Sequence, residues 1–186
     1  MPISNEEFKS RYERAMQLMG AFSATQFAID SVLTFYLKRA SPRLGPALIN
    51  AMGRIRDHQR VPLFKAFCEE VNYQVDWPRF EKTYERARQT RNLVGHAQAI
   101  LGPVFSVGAL PKMQVTHVPS GRSNLVPDPL EPSTFTRLAA DCDWLSQHAR
   151  RAGYVAEPAW FIDATGNPSE PPVPPVTPHG GEPLFI

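Results

Sequence analysis

The residues best equipped for chemistry stand together in Thr90-Arg91-Asn92-Leu93-Val94-Gly95-His96-Ala97, where four residues separate Arg91 from His96 and a polar amide follows the arginine directly. An imidazole titrating near neutrality can take a proton from a ribose 2′-hydroxyl or give one to a leaving 5′-oxygen. A guanidinium can neutralise the charge that builds on a phosphorane, and an amide can orient the imidazole or hold a phosphate oxygen. This is equipment for cutting RNA with no metal ion. The candidate catalytic residues are therefore Arg91, Asn92 and His96, with Arg88 and Lys82 as weaker RNA phosphate contacts. Neither a cofactor nor a metal ligand set is expected.

At about 100° per residue, Asn92 and His96 stand one helical turn apart on nearly the same line, with Gln89 close to it. Arg91 and His96 point about 140° apart, and Arg91 projects towards the apolar side. A single helix of this kind would struggle to focus both groups on one phosphate. A two-fold dimer pairing the helix with its copy would bring two Arg and two His together across the seam. Gly95 lies between them, and a mid-helix glycine costs roughly 0.5–1 kcal/mol against alanine, which suggests close approach of another backbone or a ligand.

No other standard signature is present: no GxSxG, Walker A loop, GxGxxG after a strand, HExxH or clustered His/Cys ligands. His58, His117, His148 and His179 have no catalytic partner nearby in sequence and read as solvated or packed. Glu81 and Glu85, beside Lys82, Arg86 and Arg88, read as a salt-bridged solvent face rather than an acid–base pair.

These residues need a helix, and the sequence supplies one among several. Ser4 and Glu7 form a capping-box pair opening a first helix that runs to about Arg39. Phe8, Tyr12, Met16, Met19, Phe22, Ile29, Leu33 and Tyr36 form its apolar stripe, and Gly20 is a point where it can kink or divide. After Ser41-Pro42 and Gly45-Pro46, a second helix buries Leu48, Met52 and Ile55. A third is predicted from Pro62 to near Asn72, with Phe64, Phe67, Cys68 and Val71 inward. Asp76 caps a fourth, from Trp77 to about Ala99, whose buried line is Phe80, Tyr84, Ala87 and Val94. Val104–Val107 and Met113–Val118 suggest a small hairpin, followed by a loop from Pro119 to Pro132. Ser133 caps a last helix to about Gly153, striped by Phe135, Leu138, Cys142 and Leu145. The expected fold is all-α: a four- to five-helix bundle with a small β-hairpin insertion and a proline-rich C-terminal tail. The helical domain spans 1–155, with the insertion at 101–132 and the tail at 156–186.

The composition fits this division. Hydrophobic residues at 42% and charged residues at 20% of the 186 are globular values, while eight of the 19 prolines fall between Glu157 and Ile186. The net charge of +2 is too small to argue for nucleic acid by itself, but 15 Lys+Arg stand against 10 Asp+Glu in residues 1–100, and 5 against 8 thereafter. Cys68 and Cys142 read as buried free thiols in a reducing compartment. With no signal peptide and no run of roughly 18 uninterrupted apolar residues, the chain is read as soluble and cytoplasmic, without a membrane partner.

The 90–97 segment resembles the signature of the HEPN superfamily: an arginine, a polar residue, then a histidine after four to six intervening positions on a late core helix of an all-α bundle. Arg91, Asn92 and His96 match those three positions, and the long first helix and the bundle agree loosely over residues 5–150. The resemblance implies a metal-independent endoribonuclease whose active site forms between two copies. It also implies an RNA substrate and a role as toxin or antiviral defence effector, with a protein partner or antitoxin possible. Members paired with nucleotidyltransferase antitoxins carry a tyrosine two residues after the histidine; here Gln98 stands there, which disfavours control by adenylylation. The alternative is a non-catalytic helical scaffold or binding protein, acting through its dimer surface and through Pro171-Pro172-Val173-Pro174-Pro175, a polyproline II segment with PxxP spacing.

Overall fold

The computed structural model describes residues 5–100 and 130–160, without the side chains of residues 5, 8, 48, 96–100 and 160. Five α-helices and a closing 3-10 turn, and no strand, occur among the described residues: α1 (Asn5–Ala40), α2 (Gly45–Met52), α3 (Asp57–Glu70), α4 (Trp77–Ile100) and α5 (Pro132–Ala156). The all-α expectation holds. The Ser4 cap, the 103–118 hairpin, the loop as far as residue 129 and the proline-rich segment lie outside the described residues.

Helix α1 is the spine, and it runs unbroken through Gly20. Its buried line is Ala15, Leu18, Phe22, Thr25, Ile29, Val32 and Leu33. That corrects the single stripe expected from the sequence, because Tyr12 and Met16 are about half exposed. The cause is helical drift: Met16 stands about 120° from Phe22, so four- and seven-residue spacings spread around the helix instead of staying on one face. Helix α5 runs alongside in the same direction. Arg14 Nε donates to the Leu130 carbonyl at 2.7 Å at one end, Thr25 Oγ1 donates to the Cys142 carbonyl at 2.9 Å in the middle, and Arg39 pairs with Glu157 at the other.

Helix α3 begins five residues before Pro62, which corrects the predicted start. Arg56 is extended (φ −71°, ψ 150°) and its N–H donates to Gln59 Oε1 at 3.1 Å, so the cap precedes Asp57. Pro62 then sits in the second turn, where its missing N–H leaves the His58 carbonyl without a helical partner. Asn72, at φ 56°, takes the left-handed conformation that ends α3, and Tyr73 N–H donates to the Cys68 carbonyl at 2.8 Å. The α5 cap also moves, from Ser133 to Glu131, with Pro132 as the first helical residue. Asp76 caps α4 as expected, accepting the Arg79 N–H at 3.2 Å. Phe80, Tyr84, Ala87 and Val94 are buried.

Two apolar clusters hold the helices. The larger joins Phe22, Phe64, Phe67, Phe80, Tyr84 and Trp144 across four helices, with Cys68 and Cys142 as free thiols inside it, pushed up to about 12 by burial. The smaller, Ala15, Leu18, Val94, Leu130 and Leu138, seats the C-terminal half of α4, where the candidate site lies.

His148 belongs to the larger core and is packed, as read from the sequence. It is only 9% exposed, 4.4 Å centroid to centroid from Trp144, and Nδ1 lies 2.9 Å from Tyr73 Oη. Burial, with Arg151 and Arg79 adding repulsion, lowers its pKa from 6.5 to about 4, and burial raises the Tyr73 phenol to about 12. The ring is therefore neutral and shares one hydrogen bond with the Tyr73 hydroxyl. Between pH 6.5 and 4 the unfolded chain binds a proton that folded His148 refuses, so stability falls as the pH drops through that window. The loss attributable to His148 is expected to reach roughly 3 kcal/mol by pH 4. Urea denaturation at several pH values checks it. His148→Phe should show a flatter profile than wild type, and parallel profiles would reject the assignment.

Candidate functional site

Arg91 lies on the face of α4 that meets α1 and α3. Its guanidinium carbon stands 5.2 Å from the centroid of the Phe22 ring, and Nη2 donates to Asp57 Oδ2. Asp57 is the first residue of α3, where the helix dipole favours a carboxylate. Its other oxygen accepts from Arg60 Nη1 at 2.8 Å and from Gln26 Nε2 at 2.7 Å. Arg60 turns its remaining edge onto Asp30, with Nε at 2.9 Å from Oδ1 and Nη2 at 3.0 Å from Oδ2, a two-point grip of the kind that fixes geometry. Burial disfavours the Arg60 charge, but the hydrogen bond and charge of Asp30 outweigh it and hold the guanidinium above its ordinary pKa. A relay of carboxylates and guanidiniums, Asp30–Arg60–Asp57–Arg91, thus crosses from α1 through α3 to α4.

This relay fixes where Arg91 can point. Its side chain is 27% exposed, and Nη2 is the one nitrogen hydrogen-bonded among the described residues. Nε is buried without a partner, but so is Arg86 Nε, so that feature does not set Arg91 apart. Tyr84, whose hydroxyl donates to the Asp57 carbonyl at 3.2 Å and whose ring lies 5.6 Å from that of Phe22, closes the floor; burial pushes its phenol up to about 12.

The other four predicted site residues are each placed differently. Asn92 is half-buried on α4, next to Arg91. Position 96 lies on α4 one turn beyond it, and the His96 side chain is outside the described residues. Arg88, by contrast, is engaged within its own helix: Nε and Nη2 grip Glu85 at 2.7 and 2.6 Å, and this hydrogen bond lowers the Glu85 pKa. Gln89 is drawn to the same carboxylate at 2.7 Å, while Lys82 is exposed. Lys65 reaches Glu81 at 4.0 Å, so Glu81 and Glu85 form the salt-bridged face expected of them.

Gly95 makes room for no backbone among the described residues. A Cβ there would meet the Met19 side chain at 3.6 Å, an ordinary contact. Gly95→Ala is therefore expected to raise stability by roughly 0.5–1 kcal/mol through the usual helix preference, measured by thermal unfolding; a destabilised variant would restore the reading of Gly95 as a close-approach site.

Asp57, Arg60, Asp30 and Gln26 were not anticipated from the sequence. One signal existed: Asp30 is the sole charged residue between Arg14 and Lys38 on a helix otherwise built for burial. No family model, curated protein or solved structure matches the chain.

Proposed function

We propose that this chain is a metal-independent endoribonuclease of HEPN type that works as a homodimer. Its cytoplasmic role is that of a toxin or antiviral defence effector, under a partner or trigger. His96 acts as general acid and base, Arg91 stabilises the phosphorane, and Asn92 orients the imidazole or a phosphate oxygen. The observation that carries this reading is the hold on Arg91. Asp57 and the Phe22 ring fix a partly exposed guanidinium on α4, five residues from His96, so that little reorganisation remains when charge develops on a phosphate.

In this scheme one His96 accepts the 2′-hydroxyl proton as that oxygen attacks phosphorus. The bond to the 5′-oxygen breaks, and the His96 of the second copy protonates the leaving oxygen. The products are a 2′,3′-cyclic phosphate and a 5′-hydroxyl, with no net gain or loss of water or electrons. Two copies are required because Arg91 and His96 diverge by about 140° on one helix.

The same hold on Arg91 also favours a second reading, a non-catalytic helical binding protein. A guanidinium already neutralised by a carboxylate can serve the fold alone. Cleavage of total RNA in EDTA by wild type, Arg91→Ala and His96→Ala, with oligomeric state and RNA ends determined for each, separates the two. Cleavage by wild type alone, leaving cyclic phosphate ends, supports the nuclease. Equal cleavage by all three assigns the activity elsewhere, and none by any favours the binding protein.

A further inference from the structure

The drift that splits the apolar residues of α1 leaves a second face on its solvent side. Tyr12, Met16, Gly20, Ser23 and Phe27 fall within an arc of about 80° on the helix. Tyr12, Met16 and Phe27 are 53%, 49% and 73% exposed, and an added Cβ at Gly20 would meet nothing within 4 Å. From Ala15 to Ile29 the helix carries no charge at all. Its most apolar 18-residue window, within Lys9–Ala40, has a mean hydropathy of 1.2 and is 39% buried. By length and composition the helix could cross a membrane, although its inner face is core. An exposed aromatic on such a face calls for a cover.

We infer that a second copy of this chain covers it, with the two α1 helices antiparallel about a two-fold axis near residues 21 and 22. Three features favour this occupant. First, the face is self-complementary about that axis: Gly20 falls opposite Ser23, small against small, so that the backbones approach closely, and Met16 falls opposite Phe27, a favourable sulfur–aromatic pair. Second, the ends match in charge. The first turn of α1 is acidic and its last turn basic, and antiparallel pairing sets exposed Glu6 of one copy at exposed Lys38 of the other; parallel pairing would set like with like. Third, the stripe borders the candidate site. Met19, which meets the Cβ position of Gly95 on α4, lies only about 20° around α1 from Tyr12. A two-fold axis here carries both α4 helices to the flanks of one seam. The inference deepens the nuclease reading, on which it rests for the purpose of the seam, by naming the face that joins the copies.

The experiment combines sedimentation equilibrium of the full chain with cysteine cross-linking. Phe27→Lys and Met16→Lys, both at exposed positions, should keep the wild-type circular dichroism while raising the dimer dissociation constant at least about 100-fold. Leu63→Lys on α3 should leave it unchanged. Ser23→Cys, close to the axis, should oxidise to a covalent dimer, whereas Tyr12→Cys, some 28 Å from its symmetry mate along the helix, should not. Cys68 and Cys142, buried and held as thiols, will not interfere. Any of four results overturns the inference: a wild-type monomer at 100 μM or so, a dimer indifferent to Phe27→Lys, cross-linking of Tyr12→Cys as efficient as that of Ser23→Cys, or flotation with phosphatidylglycerol vesicles in place of self-association. None of these measurements involves RNA. A dimer joined through α1 that cuts nothing would refute the nuclease reading alone, and an active monomer would refute this one.

Discussion

In EDTA, the His96→Ala protein is expected to cleave RNA about 10³- to 10⁴-fold more slowly than wild type, near the upper end for loss of one acid–base group. In the proposed scheme the same residue serves both proton transfers from two copies. Arg91→Ala should lose about 10²- to 10³-fold, the range for removing one preorganised donor at a developing negative charge. Arg91→Lys should not restore that loss, because an ammonium cannot grip Asp57 and a phosphate in the same plane. The stability of Arg91→Ala should change by no more than about 1 kcal/mol, since the lost pair is partly exposed and Arg60 and Gln26 still hold Asp57. Subunit mixing supplies the sharper test. Because the proposed scheme uses the His96 of both copies at each phosphate, a dimer of wild type with His96→Ala holds no intact site, and the rate per wild-type chain should fall in proportion to the wild-type fraction as His96→Ala is mixed in. A rate per wild-type chain that stays constant at every mixing ratio would mean that each site draws on one chain alone, against the two-copy scheme.

Much of what positions the site is local, and that part was readable. Asp76 before Trp77, then Phe80, Tyr84, Ala87 and Val94, form a capped helix with a consistent 3.6-residue period, and each behaves as its spacing predicts. The misreadings have definite causes. Pro62 has the chemistry of a first helical residue, but Gln59 closes the cap on Arg56 six residues earlier, and nothing local outranks a proline as a start signal. The buried line of α1 is narrower than its apolar residues suggest, because apolar type alone does not decide burial. Tyr12 and Met16 are large side chains with apolar surface like Phe22, and their angle on the helix separates a core residue from an exposed one. The hold on Arg91 was not readable at all. It joins residues 26, 30, 57, 60 and 91, separated by up to 65 positions, and no periodicity encodes a carboxylate presented from another helix. The resemblance carried by Arg91, Asn92 and His96 names three residues; the relay behind Arg91 belongs to this chain's own packing.

One more ion pair joins α4 to α5, and breaking it is expected to give a large stability loss. Asp141 on α5 is 5% exposed in its side chain and is held by Arg86 Nη2 from α4. Burial raises the Asp141 pKa even with the Arg86 charge and hydrogen bond opposing it, so the charged carboxylate sits in the core at a cost that Arg86 offsets. Arg86→Met, which keeps the aliphatic stem, should therefore destabilise by about 3–5 kcal/mol at pH 7, most of it the penalty of a buried carboxylate left without its partner. The sign of the pH dependence follows. In the variant the folded Asp141 pKa rises further above the usual 3.8, so the folded state binds the proton more readily than the unfolded chain, and the loss should shrink as the pH falls towards 4. Arg86→Met combined with Asp141→Leu should recover most of the deficit at pH 7, because removing both charges removes the desolvation they share. Recovery would also restore the seat of α4 against Leu18 and Leu138, so RNA cleavage should return with stability in the double variant while Arg91→Ala stays inactive in either background. A double variant as unstable as Arg86→Met would show that the loss arises from the α4–α5 packing around the methionine, and the pair would lose its role in placing the site.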